Sequence, residues 1–320
     1  MEPEWGTGAR KRKFIAGITF PSYVVSMAGR TDSHVADRKR SLKSLVKGAI
    51  RAFADIPIIA RVVYKQNVGR WLKHVPGIRS IYGIGWDRVH PFDLQYGTDT
   101  SGYSGDEERI SGTAVDIHAH GYAGTQPGLL RGVLATLPRP ETCTFVDIGC
   151  GKGRPLLVAT EFPFKDIVGV ELSPALTEIA RQNAEKIAKL FPLRTPVRVV
   201  CGDAAAYPLP AGDVILFLYN PFEEILIRKV VVRIEEALAA ERRRIFILYF
   251  NPIFGACFDA SPALARRFAK MVTYAKGELG FGPGAEDAVV IWQGGDVPPM
   301  DTKSDAKIVR TGLRSVQLVG

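Results

Sequence analysis

Only four cysteines occur in 320 residues, Cys143, Cys150, Cys201 and Cys257, and no two form a C-x-x-C pair. Their count and scatter argue against a disulfide framework and a cysteine zinc site and suit a reducing setting, so the chain is expected in the cytoplasm. Cys150 and Cys201, at apparent strand ends, read as small buried thiols. No uninterrupted apolar run reaches the roughly 18–20 residues of a membrane span. The nearest, residues 14–28, is short and contains Pro21; the Arg10-Lys11-Arg12-Lys13 before it resembles a secretion signal, but nothing downstream looks extracellular. The GK[ST] of a mononucleotide phosphate loop is absent. His118 and His120 flank Ala119 with no further ligands clustered nearby, so no metal site is expected. No Ser/His/Asp arrangement and no internal repeat is visible.

What is present is an ordinary globular composition, 46% hydrophobic and 23% charged, long enough for one large α/β core or a core plus an appendage. The net charge of +9 is unevenly placed, with 17 Lys/Arg against 6 Asp/Glu in residues 1–90 and a slight acidic excess beyond. Residues 1–40 read as a loosely ordered arm. Residues 41–73 show helical spacing, with Leu42, Leu45, Val46 and Ile50 apolar and Lys43, Lys47 and Arg51 between them. The division expected is a basic N-terminal extension (1–90), a catalytic domain (91–300) and a C-terminal tail (301–320). Within the domain, 91–126 is a cofactor-covering segment and 127–300 the core. The basic region either packs on the main domain or offers a surface to an acidic protein, nucleic acid or anionic lipid.

From residue 127 helices and strands alternate. Strands are expected at 144–148, 166–171, 197–201, 214–219 and 245–250, with helices at 127–137, 155–161, 174–190 and 223–239. Ser173 is a suitable N-cap and Pro174 a suitable first helical residue. A short helix near 262–267 precedes two extended runs, 271–274 and 288–292, separated by a Gly-rich loop. This order predicts right-handed βαβ units around a mainly parallel sheet with an antiparallel edge pair.

The sharpest motif is Phe145-Val-Asp-Ile-Gly-Cys-Gly-Lys-Gly-Arg154, a strand running into a turn with glycines at 149, 151 and 153 and then a helix. Glycines allow close backbone approach, and a helix start presents unpaired N–H groups. A dinucleotide site uses G-x-G-x-x-G and an uncluttered positive helix end. Here the spacing is G-x-G-x-G, and Asp147 stands just before the first glycine, where it repels phosphate but tolerates a sulfonium-bearing zwitterion. Glu171 ends the next strand about 20 residues on, where an acid accepts both ribose hydroxyls. Asp203 follows the third strand, placed to accept an adenine amino group. If Gly151 faces only the ligand, Gly151→Val should leave the fold intact.

On these residues the chain resembles class I S-adenosylmethionine-dependent methyltransferases over roughly residues 120–295. The resemblance implies a Rossmann-like sheet with an antiparallel last strand and S-adenosylmethionine as cofactor. It assigns Asp147, Gly149, Gly151 and Gly153 to the first motif, Glu171 to the ribose, Asp203 to the adenine, and residues 213–222 to the fourth motif. Tyr96-Gly-Thr-Asp-Thr-Ser-Gly102, Tyr122-Ala-Gly-Thr-Gln-Pro127 and Leu218-Tyr-Asn-Pro-Phe222 are further similar to bacterial relatives of Dot1-type and ATP-synthase-c-subunit lysine methyltransferases. That similarity implies that Tyr96, Thr98 and Thr100, or Tyr122 and Thr125, close over the methionine end of the cofactor. It also implies N-methylation of an amine such as a protein lysine.

Tyr219-Asn220-Pro221-Phe222 is similar to the Asn-Pro-Pro-Tyr/Phe motif of enzymes that methylate planar amino groups, but lacks one proline. Asn220 is expected to accept an N–H from the acceptor, with Tyr219 and Phe222 walling it from water. The bland alternative is that Asn-Pro simply turns the chain out of the strand. Asn251-Pro252 after the next strand reads as such a turn. The rival to an enzyme is a catalytically silent scaffold of the same fold, and the alternative acceptors are nucleic acid or a small molecule.

Overall fold

The computed structural model describes residues 89–104, 122–281, 285–296, 308–311 and 314–318. The helix expected at 41–73, His118 and His120 lie outside these residues, as do most of the basic extension and most of the tail. All described residues fall in the unit Thr31–Gly320; the other unit, Met1–Arg30, lies outside them. Helices α1 to α6 span Pro91–Tyr96, Pro127–Leu134, Arg154–Ala159, Pro174–Leu190, Glu224–Ala240 and Ala256–Asp259. Strands β1 and β2 (Tyr103–Ser104, Tyr122–Ala123) form a two-residue ribbon, and β10 and β11 (Ile308–Thr311, Arg314–Gln317) a second hairpin. The main sheet has seven strands, β3 (Cys143–Ile148), β4 (Asp166–Glu171), β5 (Val197–Cys201), β6 (Asp213–Tyr219), β7 (Arg244–Phe250), β8 (Leu264–Thr273) and β9 (Glu286–Gly295).

Their order is β5-β4-β3-β6-β7-β9-β8, with β3 to β7 parallel and β9 antiparallel to both of its neighbours. The expected architecture is therefore present. Reversal of strand order between β3 and β6 opens a crevice at their carboxyl ends, where α/β sheets place ligands. Two expectations fail. Residues 262–267 are not helical: β8 begins at Leu264, because pairing with β9 satisfies its backbone and overrides the helix propensity of Leu-Ala-Arg-Arg. Cys201 is exposed, since β5 is an edge strand.

The parallel strands read as continuous apolar runs because helices cover both faces. On one face Val146, Val168, Leu216, Leu218, Ile247 and Tyr249 pack with Ile227 and Ile234 of α5 and Phe258 of α6. On the other, Phe145, Phe217 and Phe250 form an aromatic row, with centroids 6.1 and 5.0 Å apart, and Phe164 lies 5.4 Å from Phe145. Gly169 lets α3 approach: a Cβ there would stand 2.4 Å from Leu156 Cδ1. Helix α4 starts as expected, with Ser173 Oγ accepting from Leu176 N at 3.3 Å and proline in the first turn.

Phe217 is fully buried between Phe145 and Phe250. Phe217→Ala is expected to destabilise the chain by about 3–5 kcal/mol in chemical denaturation, the range for an aromatic deletion that leaves a cavity. A loss below about 1 kcal/mol would mean the row is loosely packed.

Candidate functional site

The loop after β3 is hung from the neighbouring strand: Gly149 N and Cys150 N both donate to Val170 O, at 2.8 and 3.1 Å. Gly149, Gly151 and Gly153 all have positive φ (79°, 53° and 86°), the left-handed region that side chains disfavour. A Cβ on Gly149 would meet Pro221 Cβ at 2.7 Å, and one on Gly151 would meet the Tyr122 ring at 2.0 Å. The expectation that Gly151→Val spares the fold is therefore corrected. That side chain would strike Tyr122 as well as any ligand.

Three carboxylates stand at successive strand ends. Asp147, the next-to-last residue of β3, is 1% exposed, and its Oδ2 has no hydrogen-bond partner. Burial, with the nearby Glu171 charge adding to it, holds the Asp147 carboxyl well above the ordinary carboxylate range. Glu171 ends β4; its Oε2 accepts from Gly151 N at 2.8 Å and its Oε1 from Ser173 N at 2.9 Å. Asp203 follows β5, half-buried, with Oδ1 accepting from Ala205 N at 2.9 Å.

Residues 90–101 are bound to the glycine loop by Arg154, the first residue of α3. This guanidinium is 2% exposed. It donates to Thr100 Oγ1 (2.7 Å), Thr100 O (2.6 Å) and Thr125 O (3.3 Å), and lies 3.7 Å from Asp93 Oδ2. Gly124 makes this approach possible, because a Cβ there would sit 2.5 Å from Arg154 Nη1. Lys152 Nζ donates to Asp99 Oδ1 and Ser101 O, both at 2.9 Å. Asn183 of α4 accepts from Asp99 N and donates to Asp99 O and Lys152 O.

Within the segment, Asp93 collects the hydroxyls of Thr98 and Thr100, each at 2.6 Å, and that of Ser101. These bonds hold its carboxyl below the ordinary range against the opposing effect of burial. The Tyr122 hydroxyl donates to Thr100 O at 2.6 Å. Tyr96 packs instead on Phe92 and on Phe191, beyond the end of α4. So Tyr122, Thr125 and Thr100 converge on the glycine loop and Arg154, while the Thr98 and Thr100 hydroxyls brace Asp93 and Tyr96 lies off to the side.

His90 anchors the segment's start. Its Nδ1 accepts from Phe92 N at 3.0 Å, so Nε2 carries the proton toward Gln126 Oε1, 3.1 Å away. Burial and then the Arg154 charge lower its pKa to about 4. Gln126 Nε2 in turn donates to Phe281 O, and Glu278 Oε1 accepts from Gly128 N at the start of α2.

The β6 end divides its residues between the two sheet faces. Tyr219 lies on the Asp147 face, its hydroxyl donating to Asp287 Oδ2 at 3.2 Å. Asn220 is left-handed (φ 45°), and its amide oxygen, expected to receive the acceptor's N–H, already accepts from the Tyr249 hydroxyl at 3.1 Å. Phe222 is buried in the core cluster around α5 and so does not share Tyr219's face.

Residues 145–240 match the family described as a methyltransferase domain. This segment is a methyltransferase domain. It has the class I fold, for which S-adenosylmethionine is the cofactor. A curated relative, the ribosomal protein L11 methyltransferase of Dechloromonas aromatica (strain RCB), is 29% identical over 107 residues, 27% of this chain. The chain spans 36% of that relative's length. Among solved structures, an RNA methyltransferase from Salinibacter ruber in complex with S-adenosyl-L-homocysteine has TM-score 0.37 and 19% identity, covering 57% of this chain and 99% of its own. TrmN from Thermus thermophilus has TM-score 0.38 and 18% identity, covering 52% of this chain and 48% of its own.

Several residues of the methyltransferase domain and its flanks carry no sequence signal of their own. Arg154 and Asp93 are single charges among many, and only the run of small residues at 97–102 and 122–125 hints that something packs closely there. Asn251 and Asp287 belong to the same class. No group of residues among those described is arranged to hold a metal.

Because the folded state raises the Asp147 carboxyl, folding disfavours its ionised form. The penalty is absent below the ordinary value of 3.8 and grows as pH rises, until the folded carboxyl itself ionises. Asp147→Asn is expected to raise the melting temperature at neutral pH by about 2–6 °C, with the gain shrinking as pH falls toward 4. The same variant should bind S-adenosylmethionine at least about tenfold more weakly, since a neutral amide attracts a cation less. Unchanged stability together with unchanged affinity would remove Asp147 from the site.

Proposed function

We propose that this chain methylates an amine nitrogen, with a protein lysine as the favoured acceptor and S-adenosylmethionine as the methyl donor. The observation that carries the reading is the set Asp147, Glu171 and Asp203 at consecutive carboxyl strand ends. In that set Asp147 keeps an unpartnered buried oxygen beside a left-handed glycine loop. A buried carboxylate lacking a counterion suits a ligand that carries net positive charge and disfavours a pyrophosphate. Glu171 is assigned to the ribose hydroxyls, exchanging a backbone donor for them, and Asp203 to the adenine amino group. Gly149, Gly151 and Gly153 line the cofactor's path. Tyr122, Thr125, Thr100, Thr98 and, at the edge, Tyr96 form the cover over its methionine end.

When bound, S-adenosylmethionine supplies a methyl group already activated on sulfur, so the protein's task is alignment and exclusion of water. Tyr219 is assigned to the wall of the acceptor channel, and Phe222, buried on the other face with its ring tip 3.9 Å from where a Cβ on Gly149 would sit, to backing the glycine loop beside it. Asn220 is assigned to its mouth, where Tyr249 fixes the turn. A lysine acceptor must shed a proton from an ordinary pKa of about 10.4, and an aromatic, desolvated approach lowers it. The name of the curated relative supports a protein acceptor. The basic 1–90 region is assigned to recruiting an acidic protein or nucleic-acid partner.

The test is calorimetry with S-adenosylmethionine, S-adenosylhomocysteine and NAD, followed by methyl-labelling of a cell lysate split into protein, RNA and small molecules. Micromolar binding of both sulfur compounds, none of NAD, and label recovered as methyl-lysine is the expected result. NAD binding without the sulfur compounds would overturn the methyltransferase reading. Cofactor binding without labelling would favour the silent scaffold, and label in RNA or small molecules would overturn the acceptor alone.

A further inference from the structure

The two Asn-Pro turns that end β6 and β7 are tied to each other across the strands. Both asparagines are left-handed, Asn220 at φ 45° and Asn251 at φ 51°. Tyr249 of β7 donates to Asn220 on one face of the sheet. On the other, Asn251 Nδ2 donates to the Tyr219 hydroxyl of β6 at 3.1 Å. Asn251 Nδ2 also donates to Asp287 Oδ1 at 2.9 Å, and its own Oδ1 accepts from Ala288 N at 3.2 Å. A turn needs none of these contacts with Tyr219 and Asp287.

Asp287, at the start of β9, is the centre of the cluster. It is 2% exposed and accepts from the Tyr219 hydroxyl, the Tyr274 hydroxyl (2.8 Å) and Asn251. Its partners come from three separate segments: the end of β6, the residue after β7 and the residue after β8. No Lys or Arg among the described residues pairs with it, and burial holds its carboxyl above the ordinary range. A buried acid without a cation costs several kcal/mol, and such groups concentrate where a protein does chemistry. This one lies at the carboxyl edge of the sheet. Tyr219 occupies the pleat directly beyond Phe217, and Phe217 is register partner to Asp147 on the same face. The ring held by Asp287 is thus the aromatic side chain of β6 nearest the glycine loop on that face.

We propose that Asp287, with Asn251 and Tyr274, is a positioning residue for methyl transfer, fixing the Tyr219 ring on the acceptor side of the cofactor site. An ionised carboxylate only accepts hydrogen bonds, so Asp287 dictates where the Tyr219 hydroxyl hydrogen points and removes the ring's freedom to swing. The proposal rests on the methyltransferase reading above.

The test compares wild type, Asp287→Asn, Tyr219→Phe and the double variant. Each is assayed for methyl transfer into the lysate fraction labelled by wild type, for S-adenosylhomocysteine affinity by calorimetry, and for melting temperature. Asp287→Asn should lose about 10- to 100-fold in rate with affinity within about threefold of wild type. Because Asp287 acts through Tyr219, the double variant should be no slower than Tyr219→Phe. Tyr274→Phe, which removes one donor only, gives the same direction should Asp287→Asn fail to fold. Rates that fall only in step with folded protein, or that multiply in the double variant, would overturn the proposal while leaving the cofactor site intact. A wild-type chain that fails to bind S-adenosylhomocysteine would overturn the methyltransferase reading and this proposal with it.

Discussion

A single guanidinium ties the site together. Arg154 begins the helix that follows the glycine loop and is withdrawn from water, so each of its N–H groups must find an oxygen inside the protein. It finds them on Thr100 and Thr125, in two segments that precede the sheet in sequence, and it faces the carboxylate of Asp93. Burying a charge without such partners costs several kcal/mol, so the loop, the 90–101 segment and the 122–125 segment are specified together. Asp93 in turn gathers three hydroxyls, which spreads one ion pair into a network covering the glycine turn. Tyr122 rests on Gly151 because that glycine has no side chain to displace it.

With this cover in place, the carboxyl edge of the sheet holds Asp147 and Asp287 as two buried acids without cations, on either side of Tyr219. Both are costly in the ligand-free protein, and both are placed along the row of strand ends where the topology opens a crevice. In the proposed reading a cationic donor molecule relieves the first, and the second organises the acceptor wall. Stability given up at this edge is offset by the aromatic and aliphatic core beneath it, where Phe145, Phe217, Phe250 and Trp292 are fully buried.

The sheet was legible because its strands are uninterrupted apolar runs separated by helices, one of which, α4, is marked in the sequence by its Ser173 cap and Pro174. The glycine loop and its three acids were legible because their spacing along the chain matches successive strand ends. The segment near 262–267 misled, since edge pairing with β9 outweighs local helix propensity. The face taken by the Asn220 amide was not legible, because it depends on a partner, Tyr249, on the neighbouring strand. Arg154 and Asp287 were illegible for the same reason. Their importance comes from long-range partners, at separations such as Arg154 to Thr100 or Asp287 to Tyr219, that no local pattern encodes.

The central claim is that the glycine loop and its Arg154-held cover form one cofactor site. Amide hydrogen exchange with and without S-adenosylhomocysteine tests it most directly, because each segment reports separately. The account predicts joint protection of residues 149–153, 98–101 and 122–125 on ligand addition in wild type, with protection of 98–101 lost in Arg154→Met. Protection confined to 149–153 and the ends of β4 and β5, with 98–101 and 122–125 unchanged, would contradict it.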